Sequence, residues 1–396
     1  MQTTTKLYEQ TPYARAADTV LLAAEPIPGG VRAALAATVF YPEGGGQPAD
    51  CGTLRFAQGE LPVRDVHEEG GVVWHTLDAL PAGAAPGDAV HAEIDWNRRF
   101  DKMQQHTGEH ILSGTLHRLF GAENVGFHIG ADAVRMDTSV PLNETQLLQA
   151  ETEANAVIWA DVPVEVSYPS PAALAQMTYR SKKAIEGQVR IVSIPGADVC
   201  ACCGTHVART GEVGFIKILA DEHYKGGERL SVVCGGRALA EMQAAVQRQA
   251  DIGALLSARR ELTAAAVHRI YEEYTALKFA HFGMAGRLFA ALAEGVKPGE
   301  AAVVSVPGLT PDELHRLAEA LCARTGALCA ALTPCEKGVG YCIGQASGDV
   351  RALTRALNAA FAGRGGGKPG LCQGSCAAGT LEEIEAYLRA QSTAGK

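Results

Sequence analysis

The sequence predicts an α+β chain of several domains, on three observations. Residues 1–95 are cut by turn signals into strand-length pieces. Residues 96–236 mix one long stretch of helical apolar spacing with strand-like runs. Beyond Arg237, a Pro-free, Ala-rich helical stretch leads into a segment that alternates buried-strand patterns with capped helices.

In the first segment, Pro28-Gly29-Gly30, the run from Pro42 to Pro48, Gly70-Gly71 and Pro86-Gly87 punctuate the strands. Short strands between such turns predict a small β-barrel over 1–95. In the second, Met103, Ile111, Leu112, Leu116 and Leu119 share a helical face, which predicts a helix from Met103 to Leu119. The third, 237–296, predicts one or two long helices linking two domains. In the fourth, 297–396, Ala301 to Val306 has the pattern of a buried strand. Thr310-Pro311-Asp312-Glu313 then opens a helix with a capping box and Pro in the first turn. Strands are expected at Ala327 to Leu332 and Val339 to Ile343, and a helix at Asp349 to Ala362. Thr380 and Glu383 supply a second capping box for the last helix.

With 396 residues and 47% hydrophobic content, the chain can bury more than one core. No basic stretch followed by an apolar one opens it, and no apolar run reaches the roughly 18 residues of a membrane span. A cytoplasmic protein is the expectation. Eleven cysteines in such a chain point to reduced thiols and metal chemistry, not a disulfide framework. The net charge of −9 does not advertise nucleic-acid binding. An RNA ligand would rely on local patches such as Arg180-Ser181-Lys182-Lys183, which read equally well as a solvated face.

Two short motifs carry metal chemistry. His106-Thr107-Gly108-Glu109-His110 places two imidazoles at i and i+4, on one face of the predicted helix. The Glu directly precedes the second His and does not follow the first, so this is not the H-E-x-x-H of zinc proteases. Cys200-Ala201-Cys202-Cys203-Gly204-Thr205-His206 contains a Cys202-x-x-x-His206 half-site. His106, His110, Cys202 and His206 together offer four N/S donors, the tetrahedral number for Zn2+. Cys200 and Cys203 compete with Cys202, their alternative role being that of small buried residues. A third motif, Phe40 to Pro48 with Gly44, Gly45, Gly46 and Gln47, lets backbone approach another group closely. It lacks the GK[ST] of a phosphate loop.

Thr38 to Gly52, the HxxxH pair and Cys202 to Val207 occur in the order seen in AlaX-type proteins, free-standing relatives of the editing domain of alanyl-tRNA synthetase. Tyr224-Lys225-Gly226-Gly227-x-Arg229 and Cys234 to Leu239 resemble that family's exit into its helical linker. Gly365-Gly366-Gly367-Lys368-Pro369 with Gln373-Gly374 resembles the signature of the DHHA1 domain. The resemblance spans essentially the whole chain and matches the long AlaX form. One departure is Cys203, which stands where the family often has Gly.

The resemblance implies hydrolysis in trans of tRNA(Ala) mischarged with Ser or Gly, by a zinc-containing editing domain over 96–236, with a DHHA1-like domain over 297–396. Such a site must accept Ser and refuse the smaller Ala, so it must reward the hydroxyl. A buried polar group left unpaired by Ala discriminates by roughly 10⁴ or more. Thr38 sits at the family's threonine position and is the candidate for that group. Thr38 reads alternatively as a strand threonine on a pleated face. Gln47 is expected to position the ester or the glycine turn. His128 reads either as a pocket residue or, equally well, as a satisfied core histidine. Gly44, Gly45, Gly46, Lys182, Lys183, Arg229, Gly366 and Gly367 are the expected substrate contacts. The resemblance also suggests a homodimer through linker and C-terminal domain. A phosphoesterase sharing the C-terminal module would need an Asp-His-His motif near the N-terminus, which is absent. A non-catalytic tRNA-binding protein of the same fold and a zinc hydrolase of another ester are the alternatives.

Overall fold

A computed structural model describes residues 2–181, 187–336 and 338–393. The chain divides into two compact units, Met1–Ala250 and Asp251–Lys396.

The first unit opens with a seven-stranded antiparallel sheet. Its strands are β1 (Ala16–Ile27), β2 (Gly30–Leu35), β3 (Gly52–Phe56), β4 (Gly59–Val63), β5 (Asp65–Glu69), β6 (Val72–Leu77) and β7 (Ala89–Ile94). They pair in the order β4-β3-β7-β1-β2-β6-β5, and β4 also packs against β6, so the sheet curls back on itself. Period-2 alternation sends Leu21, Leu35, Leu54, Val66, Val73 and Val90 into one interior.

Helix α1 (Trp96–Phe120) follows. Asp95 caps it by accepting from Arg98 N, and Gly121 ends it in the left-handed region, at φ +64°. The helix thus begins seven residues before the stretch that apolar spacing marked. Trp96 and Phe100 carry the same apolar spacing back from Met103 and pack on the cores, and Arg99 between them is fully buried. Around α1 lie a sheet of β8 (Asn124–Ile129), β9 (Val134–Thr138), β13 (Ile216–Tyr224) and β14 (Gly227–Cys234), in the order β8-β9-β14-β13. Helix α2 (Glu144–Trp159) and a small sheet of β10 (Glu165–Ser167), β11 (Ile191–Ile194) and β12 (Asp198–Ala201) complete the layer. Met103, Ile111, Leu112 and Leu116 of α1 meet Ile129, Met136, Leu147 and Leu230 in a second core. Trp96 packs against both cores and welds them into one unit.

Helix α3 (Gly235–Leu255) carries the chain to the unit boundary. The second unit holds α4 (Thr263–Glu294), β15 (Ala302–Ser305), α5 (Pro311–Thr325), β16 (Cys329–Cys335), β17 (Gly338–Gly344), α6 (Arg351–Ala360), β18 (Gly363–Lys368), β19 (Leu371–Cys376) and α7 (Leu381–Thr393). The sheet order is β15-β16-β17-β19-β18, with one parallel pair, β15 and β16, joined through α5. Thr310 and Glu313 form the expected capping box. Alternation along β16 sends Cys329 and Ala331 to a core with Phe289 and Leu317, and Ala330 and Leu332 to one with Leu357 and Ile384. The sheet is therefore covered on both faces. Among the described residues, no helix is long and apolar enough to cross a membrane.

Candidate metal centre and its cleft

Helix α1 sets the geometry. His106 and His110, one turn apart, leave its buried face, and Cys202 and His206 come from the loop after β12. Buried Arg190 holds that loop by donating from Nη1 to the carbonyls of Cys202 (2.7 Å) and Gly204 (3.0 Å). A Cβ on Gly204 would run into the His106 ring, so glycine is required for the close approach. Cys202 Sγ lies 3.5 Å from His106 Nε2 and 3.4 Å from His206 Nε2. One ligand atom from each of His106, His110, Cys202 and His206 lies within 4.8 Å of all the others.

Each imidazole is gripped from behind through Nδ1. The partners are Gln47 Oε1 for His106 (2.8 Å), Asp198 Oδ2 for His110 (2.9 Å) and Thr107 Oγ1 for His206 (3.2 Å). An amide oxygen and a carboxylate only accept, so His106 and His110 donate from Nδ1 and turn Nε2 toward the cluster. Imidazoles that hold a metal are oriented in this way. Burial drives the Cys202 thiol up, but the imidazoles of His106, His110 and His206 outweigh it and hold the thiol well below its ordinary value. Burial pushes Cys200, by contrast, up to about 11. Three imidazoles and one thiolate suit zinc, so the residues present fit the ion that their spacing suggested.

A cleft of about 500 Å³ opens on this cluster, walled by Gly45, Gly46, Phe127, Ser181 and Cys203, among others. Gly44 and Gln47 exchange backbone hydrogen bonds of 3.1 and 3.0 Å. Gly45 (φ +57°) and Gly46 (φ +83°) form the two-residue turn between them, and both need the left-handed region. Gly46 O accepts from Ile129 N at 2.8 Å, and a Cβ on Gly46 would lie 2.6 Å from Phe127. Phe127 in turn stacks on His106, with ring centroids 5.0 Å apart. Gln47 clips this turn to the Cys202–His206 loop, donating to Thr205 Oγ1 (2.9 Å) and accepting from Thr205 N (3.2 Å). A larger cavity of about 970 Å³ adjoins the cleft and shares Val125, Ser181 and Cys200 with it.

The structure brings His106, His110, Cys202, His206, Gln47, Gly45 and Gly46 together, with Gly44 at the base of the turn. Gln47 is buried, and its amide serves His106 and Thr205. It is a support for the cluster, not a group facing the cleft. Thr38 is placed elsewhere. It lies in a short strand, Ala37–Thr38, that pairs in parallel with Thr5–Lys6, and is fully buried, 2.8 Å from His75 Nε2 and accepting from Phe40 N. It is not among the residues that wall the cleft, and its hydroxyl is already engaged. His128 is exposed on the face of β8 opposite Phe127, because strand neighbours alternate, so it does not line the cleft either. Arg229 pairs with both carboxylate oxygens of Asp137 and covers the Tyr224 ring at 3.6 Å. Gly366 and Gly367 lie on β18, one of the two edge strands of the second unit's sheet. Lys182 and Lys183 lie outside the described residues.

Cys202 sits in the cluster of three histidines, while Cys203 is exposed at the cleft wall. Cys200 falls in a second group with His110 and Asp198. The sequence carries no sign of roles for Asp198, Thr107, Arg190 or Phe127 beside the cluster, and it marks Arg180 only as part of a basic patch, not as the partner of Asp198. Of these, only Thr107 lies inside a metal motif. The others meet the cluster only through the fold.

A family model described as the second additional domain of threonyl and alanyl tRNA synthetases matches residues 189–232, which hold Cys202 and His206. A model described as class II (A) tRNA synthetases matches residues 29–98, which hold the glycine turn. The alanyl-tRNA editing protein AlaX-L of Pyrococcus horikoshii is 34% identical over 242 residues, 60% of this chain and 59% of that protein. An alanine–tRNA ligase of Methanoregula boonei is 34% identical over 359 residues, 86% of this chain and 38% of the ligase. The chain thus spans less than two thirds of either relative. The C-Ala domain of Aquifex aeolicus alanyl-tRNA synthetase matches over 24% of the chain and 96% of that domain, at 20% identity and a TM-score of 0.21. The likeness to AlaX-type editing proteins read from the motifs is what these comparisons show.

Proposed function

We propose that the chain hydrolyses mischarged tRNA(Ala) in trans, releasing Ser and also Gly, with Zn2+ held by His106, His110, Cys202 and His206. The observation that carries this reading is the four-donor cluster opening on a cleft edged by the Gly45–Gly46 turn. Zinc held by these four residues would supply a fixed positive charge beside the cleft, and its ligands would join α1 to the Cys202–His206 loop. The aminoacyl ester is already activated, so the residues need only position it and stabilise the charge that develops on its carbonyl oxygen. Backbone amides of the Gly45–Gly46 turn are the groups offered to that oxygen. Selection of Ser over Ala falls to polar atoms of the cleft wall, since the Thr38 hydroxyl is engaged by His75 and Phe40.

Lys182 and Lys183 follow Ser181, a cleft residue, and are proposed on sequence alone as contacts to the RNA backbone. Arg229, Gly366 and Gly367 are proposed contacts further from the cluster. Tyr271, Leu277 and Phe279, exposed on α4, are residues that a homodimer would bury.

The test is deacylation of Ser-tRNA(Ala) beside Ala-tRNA(Ala). Rapid loss of Ser, sparing of Ala, and a fall of at least 100-fold (on the order of 10² for a lost charge-stabilising group) in Cys202→Ala and His206→Ala are expected. Release of neither amino acid by zinc-loaded protein that still binds tRNA would leave a non-catalytic tRNA-binding protein.

A further inference from the structure

The three imidazoles of the cluster are not held alike. His106 leans on a neutral amide and His206 on a neutral hydroxyl, whereas His110 alone leans on a carboxylate. Asp198 is buried, and its charge is matched from the far side by Arg180, which donates from Nε to Oδ1 (2.8 Å) and from Nη2 to Oδ2 (2.9 Å). Arg180 Nη2 also donates to Ser113 Oγ (2.7 Å) on α1. The Arg180 backbone is fastened beside β12 by bonds to Val199 and Ala201. Asp198 and Cys200 approach His110 closely enough to suggest a second metal group. His110 donates from Nδ1 to Asp198 Oδ2, and Arg180 engages both carboxylate oxygens, so Asp198 is already paired on both sides and His110 presents Nε2, not Nδ1, to a metal.

We propose that Asp198, locked by Arg180, is the positioning residue that fixes His110 with Nε2 facing Cys202 and makes it the strongest nitrogen donor of the cluster. The charged acceptor raises the basicity of the ring, and the bidentate fork of Arg180 keeps the carboxylate from swinging away. The larger cavity of about 970 Å³ lies beside this ion pair. Arg180 walls it, but Arg118, His117 and Arg180 are each already paired with Glu153, Glu123 and Asp198.

This inference rests on the metal reading above, and its test keeps the two apart. Affinity of the full chain for Zn2+ is measured by competition with a chromogenic chelator, and the Co2+-substituted protein is followed by its visible absorption. Asp198→Ala weakens zinc binding by about 10–100-fold. Asp198→Asn, which keeps an acceptor without its charge, weakens it less and shifts the Co2+ bands. Arg180→Met gives a loss in the same direction. Glu153→Gln, at an exposed ion pair, leaves affinity unchanged. If wild type binds zinc and both Asp198 variants bind it equally well, the inference is overturned even where their melting temperatures fall. If wild type itself binds no divalent metal, the metal reading fails first.

Discussion

At the scale of single residues, the Thr38–His75 pair shows how a polar motif can be structural. His75 is fully buried, its Nδ1 3.0 Å from Ala33 O and its Nε2 2.8 Å from Thr38 Oγ1. Burial lowers its pKa to about 4, although the Ala33 carbonyl pulls the other way. The folded protein therefore prefers neutral His75. Between pH 6.5 and 4 the unfolded chain takes up a proton there that the folded chain refuses. Stability from this group is fully present above pH 6.5 and is lost as pH falls toward 4, by about 3 kcal/mol for a depression of this size. His75→Gln, less stable at pH 7, should show a flatter decline of unfolding free energy across that window in urea titrations. Parallel slopes for the two proteins would exclude His75 as the source. The resemblance singles out Thr38 by its position ahead of the glycine turn, and its pairing with His75 is a feature of the fold. Its partner lies 37 positions away, and nothing local in the sequence marks the hydroxyl as engaged.

At the scale of elements, α1 joins the metal cluster to the seven-stranded sheet. Its buried Arg99 donates to Asp50 and to the carbonyls of Val39 and Pro12, while Asp50 also accepts from Tyr41 N at 2.7 Å. These bonds pin the base of the glycine turn to the helix that carries His106 and His110. A buried ion pair is weak evidence of net stabilisation, but removal of one member strands the other. Arg99→Leu should therefore cost about 3–5 kcal/mol, and Arg99→Leu with Asp50→Leu should recover a large part of it, as read from denaturant midpoints. A double variant as unstable as the single one would show that the carbonyl contacts carry the effect. Helical period made His106 and His110 legible as one face, and capping chemistry made the helix at Thr310 legible. The roles of Asp198 and Arg180 are not legible in the sequence, because Asp198 meets His110 only where β12 packs on α1, and Arg180 meets Asp198 only where its backbone is bonded beside β12. The period-2 rule sets exposed His128 on the face opposite its neighbour Phe127, which walls the cleft.

At the scale of the whole molecule, each of the two units has cores of its own, and the four-donor cluster belongs entirely to the first. A ligand that binds only the folded state stabilises the unit that holds it, by about 4 kcal/mol when free ligand stands at 1,000 times its dissociation constant. Zinc bound at His106, His110, Cys202 and His206 would also link α1 to the loop after β12, positions about a hundred residues apart in the sequence. Chelation should therefore lower the unfolding transition of Met1–Ala250 and leave that of Asp251–Lys396 in place, turning a merged calorimetric trace into two resolved steps. His106→Ala should reproduce the lower step without chelator and should not respond to added zinc. The assignment of each step can be made by hydrogen exchange, with α1 and β12 reporting the first unit and β16 and β17 the second. If chelation lowers both steps equally, the units do not unfold separately. If it lowers neither, the cluster is not a metal site, and the hydrogen bonds from Gln47, Asp198 and Thr107 serve only to satisfy buried imidazoles.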